Sequence, residues 1–420
     1  MRLDHVFEVQ LGKMLSGKAR AGNSPKPYMR NKNVQWGVID TSEMFEMDFT
    51  RREMEKFSLR NGDLLMCEGG VPGRTAIWRG EIAECYYQKA IHRLRPLNGR
   101  IVPEFFLYWF RYAFDITNAY GVSGASSTIA HLPAAQLRAL DIPVPDLDDQ
   151  RQIAAVLSAV QRAIERQERL IALTAELKNA LLHKLFTEGT RGEPRKQTEL
   201  GLMPESWSIE RFDTRYQTQL GKMLSQKAHT GRQARPYLRN KNIQWDRIDL
   251  SDLLEMDFDE RERKRFELRL GDLLVCEGGE PGRAALWNGA SFECYYQKAL
   301  HRVRPLSSNA TNEYLLCWLS YAIAVQNLYG TAGASSTIAH LPVAQLKALP
   351  IPFPEPAEQE AISSAIQRVA QVAEIKVKAK ISAESLFRTL LHQLMTAQIR
   401  VHDLDLSALD EAKQEPVGAA

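Results

Sequence analysis

From Gly124 to Pro133 the chain reads GASSTIAHLP, and from Gly333 to Pro342 it reads GASSTIAHLP again. The offset is 209 residues, and it holds far beyond this decapeptide. LGKMLSGKA from Leu11 returns as LGKMLSQKA from Leu220, and PYMRNKNVQW from Pro27 returns as PYLRNKNIQW from Pro236. GDLLMCEGG from Gly62 becomes GDLLVCEGG from Gly271, and ECYYQKA from Glu84 recurs unchanged from Glu293. The register persists at Asp149-Gln150 against Glu358-Gln359 and at Leu181-Leu182-His183 against Leu390-Leu391-His392. No gap is needed, and roughly three in five positions match between residues 11 and 91. Solenoid repeats have periods of about 20–50 residues. This chain is instead two whole domains, each with its own connecting element.

Each copy opens with a mixed stretch that runs to a proline-rich stop, IPVP (Ile142 to Pro145) or IPFP (Ile351 to Pro354). Short apolar runs at Asp63 to Met66, Ala76 to Trp78 and Ile91 to Leu94 lie between Gly and Pro, as strands do. The aromatic run Phe105 to Phe114 predicts a buried helix. After each stop comes a long segment without Pro or Gly, Asp148 to Glu188 and Glu358 to about Val401. Steps of four and three from Ile153 meet Leu157, Val160, Ile164, Gln167, Ile171, Thr174, Lys178, Leu181 and Leu185. The second series is Ile362, Ile366, Val369, Ala373, Lys376, Lys380, Ala383, Phe387, Leu390 and Leu394. This is a coiled-coil seam, apolar at both ends and polar between them. The alternative is two amphipathic helices, each packed on its own domain. About 40 residues at 1.5 Å each make a rod of roughly 60 Å.

The fold class expected is α+β: two duplicated α/β domains joined by two long helices in an antiparallel coiled coil, with pseudo-two-fold symmetry. Domain 1 spans residues 1–145, the central helix and linker 146–195, domain 2 196–354, the C-terminal helix 355–401 and a flexible tail 402–420. Duplex DNA also has local two-fold axes, so such a molecule would present its domains to inverted half-sites.

Composition agrees with a folded core: of 420 residues, 44% are hydrophobic and 25% charged. Five cysteines without a C-x-x-C pair make no disulfide framework. The start, MRLDHVFEVQLGKM, lacks the apolar centre of a signal peptide, and no apolar run reaches 18 residues, so a cytoplasmic location is expected. Net charge is only +3, but its distribution is uneven. Residues 11–36 carry Lys13, Lys18, Arg20, Lys26, Arg30 and Lys32 with no acid, and residues 220–245 carry Lys222, Lys227, Arg232, Arg235, Arg239 and Lys241. Lysines and arginines that displace counterions supply most nucleic-acid affinity, so a phosphate-tracking patch is one reading and a solvated charged face the other.

Inside the patch, Tyr28 to Trp36 read as a strand puts Asn31, Asn33 and Gln35 on one face, and Asn240, Asn242 and Gln244 in the second copy. Amides pair with adenine N6 and N7, so the row is a candidate base reader; alternatively the amides satisfy loop backbone inside the domain. Gly121 to His131, with Ser126, Ser127 and Thr128, repeats at Gly330 to His340 with Ser335, Ser336 and Thr337. Its small hydroxyl side chains suit close approach to a sugar-phosphate backbone, and His131 and His340 end it; a capping turn is the other reading.

Catalytic chemistry is poorly represented. Cys67, Cys85, His92 and His131 recur as Cys276, Cys294, His301 and His340, but their spacing is not that of a zinc site, and no metal is expected. Asp63 and Glu68 invite a nuclease reading with Mg²⁺, yet no lysine follows at a useful spacing. No G-x-S-x-G, H-E-x-x-H or Walker motif occurs.

Two recognition-domain-like copies, each with an IPxP stop, a D/E-Q-x-x-I helix start and, in the first, the ending LLHKLFTEG, together resemble the specificity subunits of type I restriction-modification systems. The link ELGLMPESWSIERF (Glu199 to Phe212) is similar to that family's entry into a recognition domain. The resemblance covers essentially the whole chain. It implies a non-catalytic subunit that selects a bipartite double-stranded DNA site, and no cofactor bound by this chain. Implied partners are an adenine-N6 methyltransferase subunit using S-adenosylmethionine, two copies expected, and an ATP- and Mg-dependent restriction subunit. The helix pair would be ruler and docking surface. A type IIB-like specificity subunit is the near alternative; a self-sufficient nuclease and a coiled-coil scaffold are the distant ones. Two features depart from the family's pattern. The two domains are close copies, which implies a near-palindromic target, with their differences clustered at residues 20–26 against 229–235. And Met1 to Asp4 align with Glu210 to Asp213, so the first copy has no counterpart of PESW, with a natively short start and a truncated chain as the alternatives.

Overall fold

The computed structural model describes residues 1–118, 131–224, 231–328 and 340–404. They form two compact units, Met1–Gln167 with Lys378–Ala420, and Glu168–Val377. Each unit therefore owns half of each long helix, whereas the sequence boundaries set the helices apart as elements of their own.

In the first unit, β1 (Phe7–Leu11), β2 (Pro25–Met29), β3 (Val34–Gln35), β4 (Val38–Ile39) and β5 (Phe45–Asp48) precede α1 (Arg51–Phe57). Then come β6 (Leu64–Cys67), β7 (Thr75–Ile77), β8 (Tyr86–Tyr87), β9 (Ile91–Pro96), α2 (Pro103–Phe110) and α3 (Ala134–Arg138). A four-stranded antiparallel sheet has the order β1-β9-β6-β7, with Leu64 opposite Leu94 and Val9 opposite Leu94. A second sheet, β5-β2-β8, is antiparallel on one side of β2 and parallel on the other. The second unit repeats the arrangement strand for strand.

β6 is an unbroken apolar run because both its faces are covered. Side chains alternate along a strand, so Leu64 and Met66 join Phe7, Phe106 and Phe110 on the α2 side. Leu65 and Cys67 join Tyr28, Phe49, Tyr86 and Tyr87 on the other. Each fully buried side chain of this size contributes about 1.5–3 kcal/mol.

The strands expected at Asp63 to Met66, Ala76 to Trp78 and Ile91 to Leu94 are β6, β7 and β9. The helix expected over Phe105 to Phe114 begins at Pro103 and changes at Arg111 to a π-helical turn through Ile116, and Ser320–Val325 does the same in the second unit. The strand expected from Tyr28 to Trp36 is not formed throughout. Asn31–Asn33 is a 3-10 turn, because the Asn33 Oδ1 accepts from the Arg30 N–H at 2.9 Å and folds the backbone onto its own side chain. Asn242 does the same to Arg239.

The long helices are Leu147–Glu188 and Pro356–Met395. The second is shorter than expected: Ala397, with φ 54°, turns the chain left-handed, and a separate 3-10 turn follows at Val401–Asp403 with Val401 buried. None of the twenty seam positions is exposed. In the first unit Ile153, Leu157 and Ile164 share a core with Phe387, Leu391 and Leu394; in the second, Leu182 and Leu185 share one with Ile362 and Ile366. The start of one helix thus packs on the end of the other within each unit, the sense of an antiparallel pair. Gly189, with φ 66°, ends the central helix against Pro204 and Glu358.

Candidate nucleic-acid interface

Three turns meet at the end of the four-stranded sheet in each unit. The first follows β1 at Gly12-Lys13, where the Lys13 N–H donates to Tyr87 O. A Cβ on Gly12 would meet Gln88 O at 2.3 Å, and one on Gly221 would meet Gln297 O at 2.2 Å, so only glycine allows this approach. The second turn is Gln88-Lys89-Ala90. Its Lys89 N–H donates to Lys13 O (2.6 Å), and its Ala90 carbonyl accepts from the Glu68 N–H (2.8 Å). Ala90 has φ 90° and Ala299 has φ 86°, a conformation that alanine adopts only when its surroundings impose it. The third turn is Glu68-Gly69-Gly70. Gly69 O accepts from the Asn31 Nδ2 at 2.9 Å, and Gly278 O accepts from the Asn240 Nδ2 at 2.7 Å.

The Gly121 to His131 segment ends on this same node. Its residues 121–130, with Ser126, Ser127 and Thr128, lie outside the described residues, as do Ser335, Ser336, Thr337 and Lys227. Its last residue is described: His131 bridges Gly69, His340 bridges Gly278, and both imidazoles are exposed. Leu132 N–H donates to Glu68 O, and Leu132 O contacts the Nε2 of buried His92 at 2.8 Å. His301 and Leu341 repeat the contact at 3.0 Å. The structure therefore brings together Asn31, Gly69, Lys89, Ala90 and His131. Of these, Gly69, Lys89 and Ala90 escaped the reading of the sequence, although the blocks that carry them, GDLLMCEGG and ECYYQKA, both recur.

The basic segment is less free than its composition implies. Lys13 is nearly buried, with Nζ on Asp48 O and Glu53 and above the Phe49 ring; Lys222 sits likewise on Asp257 O, Glu262 and Phe258. These two lysines hold the domain together. Arg30 stacks on Phe45 and pairs with Glu43, and Arg239 pairs with Asp252. Lys32 and Lys241 pair with the same acids but remain 68% and 72% exposed, the geometry of a cation that can exchange partners. The Lys32 ammonium beside Glu43 holds that carboxyl below its ordinary range, and Lys241 does so for Asp252. Lys89, Lys298 and Arg20 are exposed, with no acid partner among the described residues. Lys18 opens a 3-10 turn, Lys18–Arg20.

The amide row is likewise engaged within the chain. Asn33 is buried, with Nδ2 on Asp40 O and Glu43 O, and Asn242 repeats this on Asp249 O and Asp252 O. Gln35 donates to Lys32 O, and Gln244 donates to Lys241 O. The strand that aligned these amides on one face does not exist, because Asn31–Asn33 is a helical turn.

Asp63, singled out for a nuclease reading, is 1% exposed, and both its oxygens contact Arg95, at 2.7 and 2.6 Å, while one also accepts from Arg60 N–H. Asp272 and Arg304 repeat this pair. The five cysteines are buried thiols; burial pushes Cys276 up to about 11 and Cys85 and Cys294 up to about 12, so they stay protonated. Among the described residues no group of three or more His, Cys, Asp or Glu is placed to hold a metal, and no helix is long and apolar enough to cross a membrane.

The family model described as the type I restriction modification DNA specificity domain matches residues 1–175 and again 219–384. A protein of Methanocaldococcus jannaschii provisionally named the type I restriction enzyme MjaX specificity subunit is 23% identical over 92% of this chain and 90% of its own. The type I restriction enzyme EcoKI specificity subunit of Escherichia coli is 25% identical over 59% of this chain and 53% of its own. The fold is similar to the crystal structure of the S subunit of a type I restriction-modification system from M. genitalium, with a TM-score of 0.58 at 14% identity, covering 94% of this chain and 95% of that one. The chain belongs to the type I restriction-modification DNA specificity family, and it carries the family's domain twice.

Proposed function

We propose that this chain is the non-catalytic specificity subunit of a type I restriction-modification complex, and that each unit contacts one half of a split, near-palindromic double-stranded DNA target. The observation that carries this reading is the repetition of one constellation, Asn31, Gly69, Lys89, Ala90 and His131 returning as Asn240, Gly278, Lys298, Ala299 and His340. Two like surfaces suit two like half-sites. Phosphate contact falls to the exposed cations Lys32, Lys89, Lys241 and Lys298, and to the hydroxyls of Ser126, Ser127, Thr128, Ser335, Ser336 and Thr337.

The partners are adenine-N6 methyltransferase subunits, two copies, with S-adenosylmethionine, and ATP- and Mg-dependent restriction subunits, all in the cytoplasm. The long helices support docking of the methyltransferases: Leu173, Leu177, Val372 and Ile375 in the second unit, and Ile381 and Leu386 in the first, are apolar and 46–61% exposed. Exposed apolar side chains along each helix are what an interaction surface would use.

The test is to co-express the chain with its neighbouring methyltransferase gene and to map N6-methyladenine by single-molecule sequencing. The expected result is methylation at a split motif with similar inverted halves, lost when this chain is deleted. A split but asymmetric motif would refute the equivalence of the two units. Methylation that does not depend on the chain would overturn the function.

A further inference from the structure

The turns Glu68 to Arg74 and Glu277 to Arg283 read EGGVPGR and EGGEPGR, and they differ at one residue, Val71 against Glu280. In the second unit the Glu280 carboxylate holds two neighbours. Its Oε1 accepts from the Trp245 Nε1 at 2.8 Å and its Oε2 from the Arg283 Nη1 at 2.8 Å. In the first unit Val71 offers no acceptor and is 46% exposed. Trp36 and Arg74 occupy the equivalent positions, yet among the described residues the Trp36 indole N–H has no acceptor and Arg74 has no acid within ion-pair distance. Arg74 retains only its donation to Asn31 O (2.8 Å), which Arg283 also makes, to Asn240 O (3.0 Å).

The turn is part of the interface, because its Gly69, or Gly278, is the residue that Asn31 and His131, or Asn240 and His340, both meet. We infer that position 71/280 makes the two units hold similar half-sites with unequal strength: Trp36 and Arg74, partly buried but without a carboxylate partner, keep N–H groups for DNA, whereas Glu280 withholds Trp245 and Arg283 and sets a carboxylate beside the duplex. This rests on the DNA-recognition reading above. A guanidinium without an acid partner displaces a phosphate counterion; one bonded to a carboxylate is already neutralised. The second unit therefore makes about one phosphate contact fewer than the first.

The experiment uses the full chain assembled with its methyltransferase subunits and duplexes carrying the mapped motif, with Val71→Glu, Glu280→Val and Glu280→Gln. One contact changes the slope of log affinity against log salt by about 0.9, which is roughly a 3.5-fold difference between 50 and 200 mM. Glu280→Val is expected to steepen the salt dependence by that amount and Val71→Glu to flatten it. Each should leave the base preference of both half-sites unchanged, since a phosphate contact carries no sequence. Glu280→Gln keeps an acceptor for Trp245 but removes the charge at Arg283, and it is expected to steepen the slope as Glu280→Val does. Positions 71 and 280 are both well exposed, and an unchanged thermal midpoint confirms that the variants are folded. A wild-type split motif with unmoved slopes in all three variants overturns this assignment alone. A wild-type complex without any split motif overturns the function, and this assignment with it.

Discussion

His92 is fully buried, with Nε2 on Leu132 O and no partner for Nδ1. The carbonyl can only accept, so Nε2 carries the proton of the neutral ring. A second proton would place an imidazolium in the core, and burial accordingly pushes the pKa below its ordinary 6.5; the same holds for His301. The unfolded chain therefore binds protons below about pH 6.5 that the native chain refuses. Stability from this source is complete above that pH and is lost as pH falls, by up to about 1.4 kcal/mol per pH unit for each histidine. Denaturant unfolding of His92→Gln between pH 7.5 and 5.5 should show a shallower pH dependence than the wild type, and parallel curves would refute the assignment. The imidazole also fixes Leu132, one residue beyond His131.

The long helices meet their domains differently in the two units. In the first, Phe387 is 3% exposed, lies edge-on to Tyr108 at 5.9 Å and has the Arg111 guanidinium 4.8 Å above its ring. Its counterpart in the repeat is Lys178, which pairs instead with Asp246 and remains partly exposed. Phe387→Ala should cost about 3–5 kcal/mol. Lys178→Ala should cost about 1 kcal/mol, a difference that fades in high salt. Thermal unfolding of both variants at 50 mM and 500 mM salt checks the contrast; equal costs would show that burial at the seam is not the deciding factor. The seam itself was legible because alternate steps of four and three leave a mark no single substitution erases. The end of the C-terminal helix was not: the central helix stops at a glycine, Gly189, whereas the other turns left-handed at Ala397, which carries no such signal. The π-helical turns are equally silent, since Arg111 to Ile116 keeps the composition of the helix before it. The Asn31–Asn33 turn defeated a strand reading because β-rich neighbours on both sides hid a side chain, that of Asn33, whose bond is to backbone three residues away.

Each copy shares a core with half of each long helix, and the ruler role expected of those helices can be tested through their length. The 209-residue offset exposed the duplication at once, because identical blocks at constant spacing need no structural interpretation. The place of each cation was hidden, because charge along the chain does not show which acids Lys13 or Arg30 will meet across the sheets. If the helices are the ruler, the DNA spacer follows their length. Seven residues added to each helix, after Gln167 and after Val377, preserve the seam and lengthen the rod by about 10 Å. That is about 3 bp of rise, and it also carries the far half-site roughly a third of a turn around the duplex. Three heptads add about 31 Å, close to the 34–36 Å of one DNA turn, so the far half-site again faces its unit. The three-heptad variant should therefore methylate unchanged half-sites separated by about 9 bp more than in the wild type, and more efficiently than the one-heptad variant methylates any site. Methylome mapping of both variants decides it. Unchanged spacers would show that the helices do not set the separation, whereas altered half-sites at the longer spacing would show that base reading extends beyond the three-turn node of each unit.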